Sequence, residues 1–179
     1  KVAGRIVGQK TRVTPIHLGS ASFVELVDIP ELENQCEQFL KKLSYYGVCG
    51  IEVKLDTRDN QFKLIEINPR CGLWEDIGIP VGVNLARQAV DDLYGDETLS
   101  KRPSSFSQKW VALHRDVPIF LKYLKAGELS IFSWLNSLKP PIVINDLPLF
   151  SDPKYAFGMG IRFTKKLLSK IKTSVFPNL

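Results

Sequence analysis

Two short segments of the 179-residue chain hold the residues best suited to chemistry. They are Gly50-Ile51-Glu52-Val53-Lys54-Leu55-Asp56 and Phe62-Lys63-Leu64-Ile65-Glu66-Ile67-Asn68-Pro69-Arg70. Strand side chains alternate faces. The alternation puts Ile51, Val53 and Leu55 on one side of the first strand, with Glu52, Lys54 and Asp56 on the other. In the second strand Ile65 and Ile67 share a face, and Leu64, Glu66 and Asn68 take the opposite one. A three-residue loop, Arg58-Asp59-Asn60, would place Asn60 in the left-handed conformation that asparagine tolerates. That loop predicts the pairs Thr57 with Gln61, Asp56 with Phe62, Lys54 with Leu64 and Glu52 with Glu66, leaving Gly50 opposite Asn68. Two carboxylates facing each other repel, so such a pair needs a cation or a shared proton. Mg²⁺ takes hard oxygen ligands, typically one or two carboxylates together with substrate phosphates. Glu52, Glu66 and the amide oxygen of Asn68 make such a set, and the planar fork of Arg70 suits a phosphate or carboxylate. The competing reading is plainer: charged residues on a strand commonly form the solvated outer face of a half-buried sheet.

These strands must be positioned by the elements around them. Residues 2–14 and 20–28, rich in Val, Ile, Thr and Phe, read as two strands broken at Pro15 and Gly19. Pro30 to Tyr46 reads as a helix: Leu32, Cys36, Phe39, Leu40 and Leu43 fall at helical spacing, with Pro30 in the first turn and Gly47 as the stop. Glu31 and Glu33 near its start and Lys41 and Lys42 near its end agree with the helix dipole. Asn84 to Tyr94 reads as a second helix, capped by Asn84 and ended by Gly95. Pro103-Ser104-Ser105 marks a loop or boundary. Beyond it, Val117 to Ala126 and Leu129 to Leu138 read as short helices divided by Gly127, with Pro140-Pro141 ending the second. Gly160 to Val175 is a candidate basic amphipathic helix.

Bulk properties narrow the function classes. No apolar run is long enough for a transmembrane segment, and the first residues lack the apolar core of a secretory signal. The chain opens inside a strand-like pattern without Met, which gives the expectation of a fragment. Residues 1–100 hold 11 Lys/Arg against 15 Asp/Glu, whereas residues 101–179 hold 13 against 4, so the net charge of +5 hides a basic second half. Its lysines are scattered and match no nucleic-acid motif, which favours a solvated basic face over a nucleic-acid partner. Cys36, Cys49 and Cys71 match no zinc or redox spacing and read as small buried hydrophobes in a reducing cytoplasm. His17 and His114 are too isolated to suggest a zinc site or a triad.

At Glu66-Ile67-Asn68-Pro69-Arg70 the sequence resembles the ATP-grasp superfamily, where a Glu-bearing strand leads into a hairpin and the returning strand ends in Glu-x-Asn-x-Arg. Gly47-Val48 ahead of the Glu52 strand and the short polar turn agree with this. Gly72-Leu73-Trp74, Gly82-Val83-Asn84-Leu85, Asp92-Leu93-Tyr94-Gly95, Lys10-Thr11-Arg12 and Gly19-Ser20-Ala21 are similar to elements of carboxylate–amine ligases related to the carbamoyl-phosphate synthase large subunit and D-aspartate ligase. The resemblance covers residues 1–100 well and residues 110–138 only loosely. It implies an ATP-dependent ligase that phosphorylates a small carboxylate and passes the acyl-phosphate to an amine or other nucleophile. In that picture Glu52, Glu66 and Asn68 hold Mg²⁺ (or Mn²⁺) between the β- and γ-phosphates, and Arg70 stabilises the transferring phosphoryl group. Lys54 contacts phosphate or balances the acids; a cross-strand salt bridge explains it as well.

The lysine-bearing strands and adenine hinge of that superfamily are not found here, so the expectation is a C-terminal part that keeps metal ligands but lacks turnover alone. The expected fold is α+β: residues 1–100 form an ATP-grasp C-terminal subdomain, an antiparallel sheet with helices packed on one face, and residues 101–179 a mostly helical basic tail or small subdomain. The expected setting is cytoplasmic. Two alternatives remain at this stage: a non-catalytic nucleotide- or metal-binding module of the same fold, and a protein whose basic tail binds a surface.

Overall fold

A computed structural model describes residues 2–95, 101–145 and 152–164, less Ala156, Met159 and Phe163. The architecture is α+β. In chain order the elements are β1 (Gly8–Thr14), β2 (Ser20–Leu26), α1 (Pro30–Lys42), β3 (Gly50–Asp56), β4 (Gln61–Asn68), a 3₁₀ helix (Glu75–Val81), α2 (Leu85–Leu93), β5 (Lys109–Ala112), α3 (Leu113–Lys125), α4 (Ile131–Ser137) and β6 (Ile142–Asn145).

The expectation of one antiparallel sheet is corrected. β1, β2, β5 and β6 form a four-stranded sheet in that order, and β3 and β4 form a separate two-stranded sheet. The larger sheet is mixed: β5 is antiparallel to β2 but parallel to β6. A parallel neighbour needs a crossover connection, and α3 with α4 supplies it. The stretch expected to be mostly helical therefore also contributes two strands. Neither was legible, because a four-residue run such as Lys109-Trp110-Val111-Ala112 is too short to show a period. Of the candidate helix over 160–175, Gly160, Ile161, Arg162 and Thr164 are helical, and residues 165–175 lie outside the described residues.

The core is built where the mixed sheet meets the 3₁₀ helix. Ala21, Val24, Leu26, Ile77, Val81, Trp110 and Ala112 form one buried cluster. Gly78 makes this approach close enough: a Cβ there would lie 2.4 Å from the Val83 carbonyl oxygen. Backbone at that distance must move, so Gly78→Ala is expected to lower stability by about 1–3 kcal/mol, measured as a reduced urea midpoint with unchanged slope. α3 packs on β1, β2 and β5 and buries Asp116, Ile119, Phe120 and Tyr123.

Helix ends follow local rules with one shift. Asn84 caps α2 as expected, its side chain accepting from the Arg87 N–H at 2.9 Å. α1 stops at Lys42 rather than Tyr46. Ser44 adopts φ 50°, and the Ser44 and Tyr45 N–H groups donate to the Lys41 and Leu40 carbonyls, each at 3.0 Å. That pair of bonds is a Schellman motif closed by serine instead of the expected Gly47. Gly47, at φ 111°, serves the following turn.

Candidate functional site

The hairpin of β3 and β4 brings together the residues singled out by sequence, by a route that differs from the expected one. The turn spans four residues, 57–60, and Asp56 pairs with Gln61, Leu55 with Phe62, Lys54 with Lys63 and Val53 with Leu64. Each of these differs from the register expected at the turn. Ile65 then forms a bulge between the Val53–Leu64 and Glu52–Glu66 pairs. The bulge cancels the one-residue offset, so Glu52 pairs with Glu66 and Gly50 with Asn68, as the sequence predicts. Asn60 is left-handed at φ 55°, also as expected. Leu64 is moved off the Glu66 face: it pairs with Val53 and joins Ile51, Val53 and Phe62 in lining a cleft of about 200 Å³ against Leu32, Gln35, Cys36 and Phe39 of α1.

The acid-bearing side meets β1. Lys10 forms an ion pair with the Glu52 carboxylate. Asn68 Nδ2 donates to Glu66 Oε1 at 2.7 Å, and Arg70 Nη2 approaches Asn68 Oδ1 at 3.4 Å. Arg70 Nη1 donates to the Cys71 carbonyl at 3.2 Å. Arg70 and Glu66 are exposed, while Glu52 and Asn68 are half-buried. Lys54 is exposed on the Glu52 side and sits opposite Lys63, whose ammonium is held by Asp59 at 2.5 Å. Lys54 is thus flanked by an ammonium rather than by the cross-strand acid that a structural salt bridge requires.

The donor types, two carboxylates and an amide oxygen, are those a hard divalent cation takes. Two carboxylates occupy directly paired positions, an amide oxygen follows two residues on, and a Cβ at Gly50 would meet nothing within 4 Å. Among the described residues no group of three or more His, Cys, Asp or Glu side chains could hold a metal ion. The Asn68 amide and oxygens of a bound phosphate would have to complete the coordination shell.

Lys10 and Arg12 illustrate what alternation misses. Two residues apart on a regular strand, they would share a face. Register shifts on either side of Arg12 break the pattern. Lys10 reaches Glu52, while Arg12 turns to α3, where Nε and Nη2 hold Asp116 at 2.7 and 2.8 Å. Ser22 and Trp134 donate to the same carboxylate at 3.0 and 2.8 Å, and the Arg12 guanidinium lies 3.9 Å above the Phe23 ring.

Glu75 was also missed. It receives a hydrogen bond from the Gly72 N–H, and burial pushes its carboxyl above the ordinary value of 4.5 against the opposing pull of that bond, the Cys71 thiol and Arg70. Its spacing from Arg70 crosses a loop, so no period pointed to it. For an acid with a raised folded pKa, the contribution to stability is present below the unfolded value and is lost as pH rises through the folded one. Glu75→Gln is therefore expected to gain stability relative to wild type as pH climbs above 4.5, read as diverging thermal midpoints between about pH 4 and pH 7.

The cysteines are corrected in part. All three are free thiols, but Cys36 and Cys49 are only half-buried and Cys71 is exposed. Burial pushes each thiol up, aided by Cys49 at Cys36 and by Glu75 at Cys49 and Cys71, which leaves them poor thiolates. Among the described residues no helix is long and apolar enough to cross a membrane.

Comparison with known proteins gives two matches that overlap the hairpin. Residues 15–90 match the family model for the carbamoyl-phosphate synthase L chain, ATP binding domain. A D-aspartate ligase from Enterococcus faecium (strain Aus0004) is 29% identical over 124 residues, an alignment that takes in 64% of this chain. The chain spans about 28% of the length of that relative. No solved structure matches. The segment matched by the family model contains Glu52, Glu66, Asn68, Arg70 and Glu75, and both likenesses support a relationship to the ATP-grasp ligases.

Proposed function

We propose that this chain supplies the metal- and phosphate-binding part of an ATP-dependent ligase site. The observation that carries the reading is the Glu52–Glu66 pair, with Asn68 opposite Gly50. A bulge that restores this pairing after a longer turn than the pattern requires is a feature of a positioned site. A merely solvated face has no need of two opposed acids, which lower sheet stability.

In this reading ATP gives its γ-phosphoryl group to a small carboxylate and leaves as ADP, and an amine or other nucleophile then attacks the acyl carbon and expels inorganic phosphate. Glu52, Glu66 and Asn68 would hold a Mg²⁺ ion, which would supply charge neutralisation to the phosphates. Arg70, exposed at the rim and leaning on Asn68, offers its remaining donors to the phosphoryl or acyl-phosphate oxygens. Glu75 fixes the turn after Arg70 through the Gly72 N–H. Lys54, beside Lys63 on the same face, adds positive potential for an incoming polyphosphate.

The test is titration calorimetry with Mg²⁺ or Mn²⁺, with and without an ATP analogue, on wild type and Glu52→Gln/Glu66→Gln. Metal binding that strengthens with nucleotide and vanishes in the double variant is the expected result. Metal binding of equal strength in both proteins would refute the site.

A further inference from the structure

We infer that Lys10 is a built-in competitor for the metal, and that its displacement couples metal binding to polyphosphate binding. The inference rests on the metal-site reading above and adds a residue outside the segment that matches the family model. Lys10 comes from β1, 42 positions from Glu52, and its ammonium is held on the carboxylate through which Glu52 would ligate a cation. The register shift next to Lys10 separates it from Arg12 and leaves it on the hairpin. Glu66 is held differently, by the Asn68 amide. The two acids are thus neutralised unequally: Glu52 faces the full positive charge of an ammonium and Glu66 only an amide dipole.

An ammonium and a divalent ion cannot both take the same carboxylate oxygen at full strength. A metal arriving alone must displace Lys10 and leave its ammonium without a counter-ion, which weakens metal binding. A metal arriving with a polyphosphate brings a new anion within reach of that ammonium. Lys10 then moves from Glu52 to the phosphate, and the cost of displacement is recovered. Binding of the two ligands becomes mutually favourable, as linkage requires. The half-exposed pair, with Lys10 at 25% and Glu52 at 35% side-chain exposure, is suited to such an exchange. A fully buried pair would not release either partner without a large penalty.

The experiment measures Mn²⁺ affinity by electron paramagnetic resonance on the whole 179-residue chain, with and without tripolyphosphate as the probe anion. The proteins compared are wild type, Lys10→Met and Glu52→Gln, with folding checked by circular dichroism. Lys10→Met is expected to bind Mn²⁺ alone about three- to fivefold more tightly than wild type, the range set by a partly exposed ion pair. The same variant should lose much of the tightening that tripolyphosphate confers on wild type. Lys10→Gln repeats the measurement should the Met variant not fold. Unchanged Mn²⁺ affinity in the Lys10 variant, with binding still abolished in Glu52→Gln, would overturn the exchange while leaving the metal site standing. Mn²⁺ binding that is absent from wild type, or insensitive to Glu52→Gln, would overturn the metal site and the exchange together.

Discussion

Asp116→Ala is expected to lower the unfolding free energy by about 3–5 kcal/mol, the cost of breaking a buried ion pair from one side. The Asp116 side chain is fully buried and that of Arg12 is 6% exposed. Asp116 accepts from Arg12 twice, from Ser22 and from Trp134. Its removal deprives the buried Arg12 guanidinium of its counter-ion and leaves the Ser22 and Trp134 donors without this acceptor. The network joins β1, β2, α3 and α4, so loss should appear as one lowered cooperative transition in urea, without separate melting of α3 and α4. Asp116→Asn keeps the shape and part of the hydrogen bonding and should fall between the two. A midpoint for Asp116→Ala equal to that of wild type would show that Arg12 finds water or another partner, and the network would lose its structural role.

Glu66→Gln is expected to weaken metal affinity at least about 100-fold and, in a protein competent for turnover, to reduce the ATP-dependent rate by at least as much. The substitution keeps size and one carbonyl oxygen but removes the charge opposite Glu52. Fold stability should be unchanged or slightly raised, because the repulsion between paired acids is relieved. That combination separates a functional acid from a structural one: a residue kept for the fold would show the reverse pattern. Calorimetry for metal and thermal melting for stability decide the matter on the same protein sample.

How much of this was legible in the sequence depended on the length of the pattern. The β3–β4 hairpin was legible because seven and eight residues gave the alternation room to show, and Asn60 marked a left-handed turn residue. The Glu52–Glu66 pairing was predicted from a three-residue loop. It is realised by a four-residue turn and a bulge at Ile65, two departures that cancel. A bulge leaves no periodic trace, so alternation alone puts Leu64 on the Glu66 face, whereas the structure turns it to Val53. α2 was legible to within a residue because Asn84 and Gly95 punctuate it chemically. Gly47 as a stop predicts a helix reaching Tyr46, whereas left-handed Ser44 closes α1 after Lys42. Long-range contacts were not legible at all. Lys10 with Glu52, and Arg12 with Asp116 across 104 positions, depend on how the elements dock.

The parallel pairing of β5 with β6 also sets an order of assembly. Each hairpin, β1–β2 and β3–β4, closes a short loop and can form within microseconds once its residues exist. β6 can join only after the α3–α4 crossover is made, and the loop joining Arg12 to Asp116 carries a larger closure entropy. The acidic hairpin is therefore expected to be structured before the sheet that supports it is complete, with Arg12 exposed in the interval. On a ribosome the proposed ligand pair precedes the residues that bury Arg12, so the expected order of folding follows the order of synthesis.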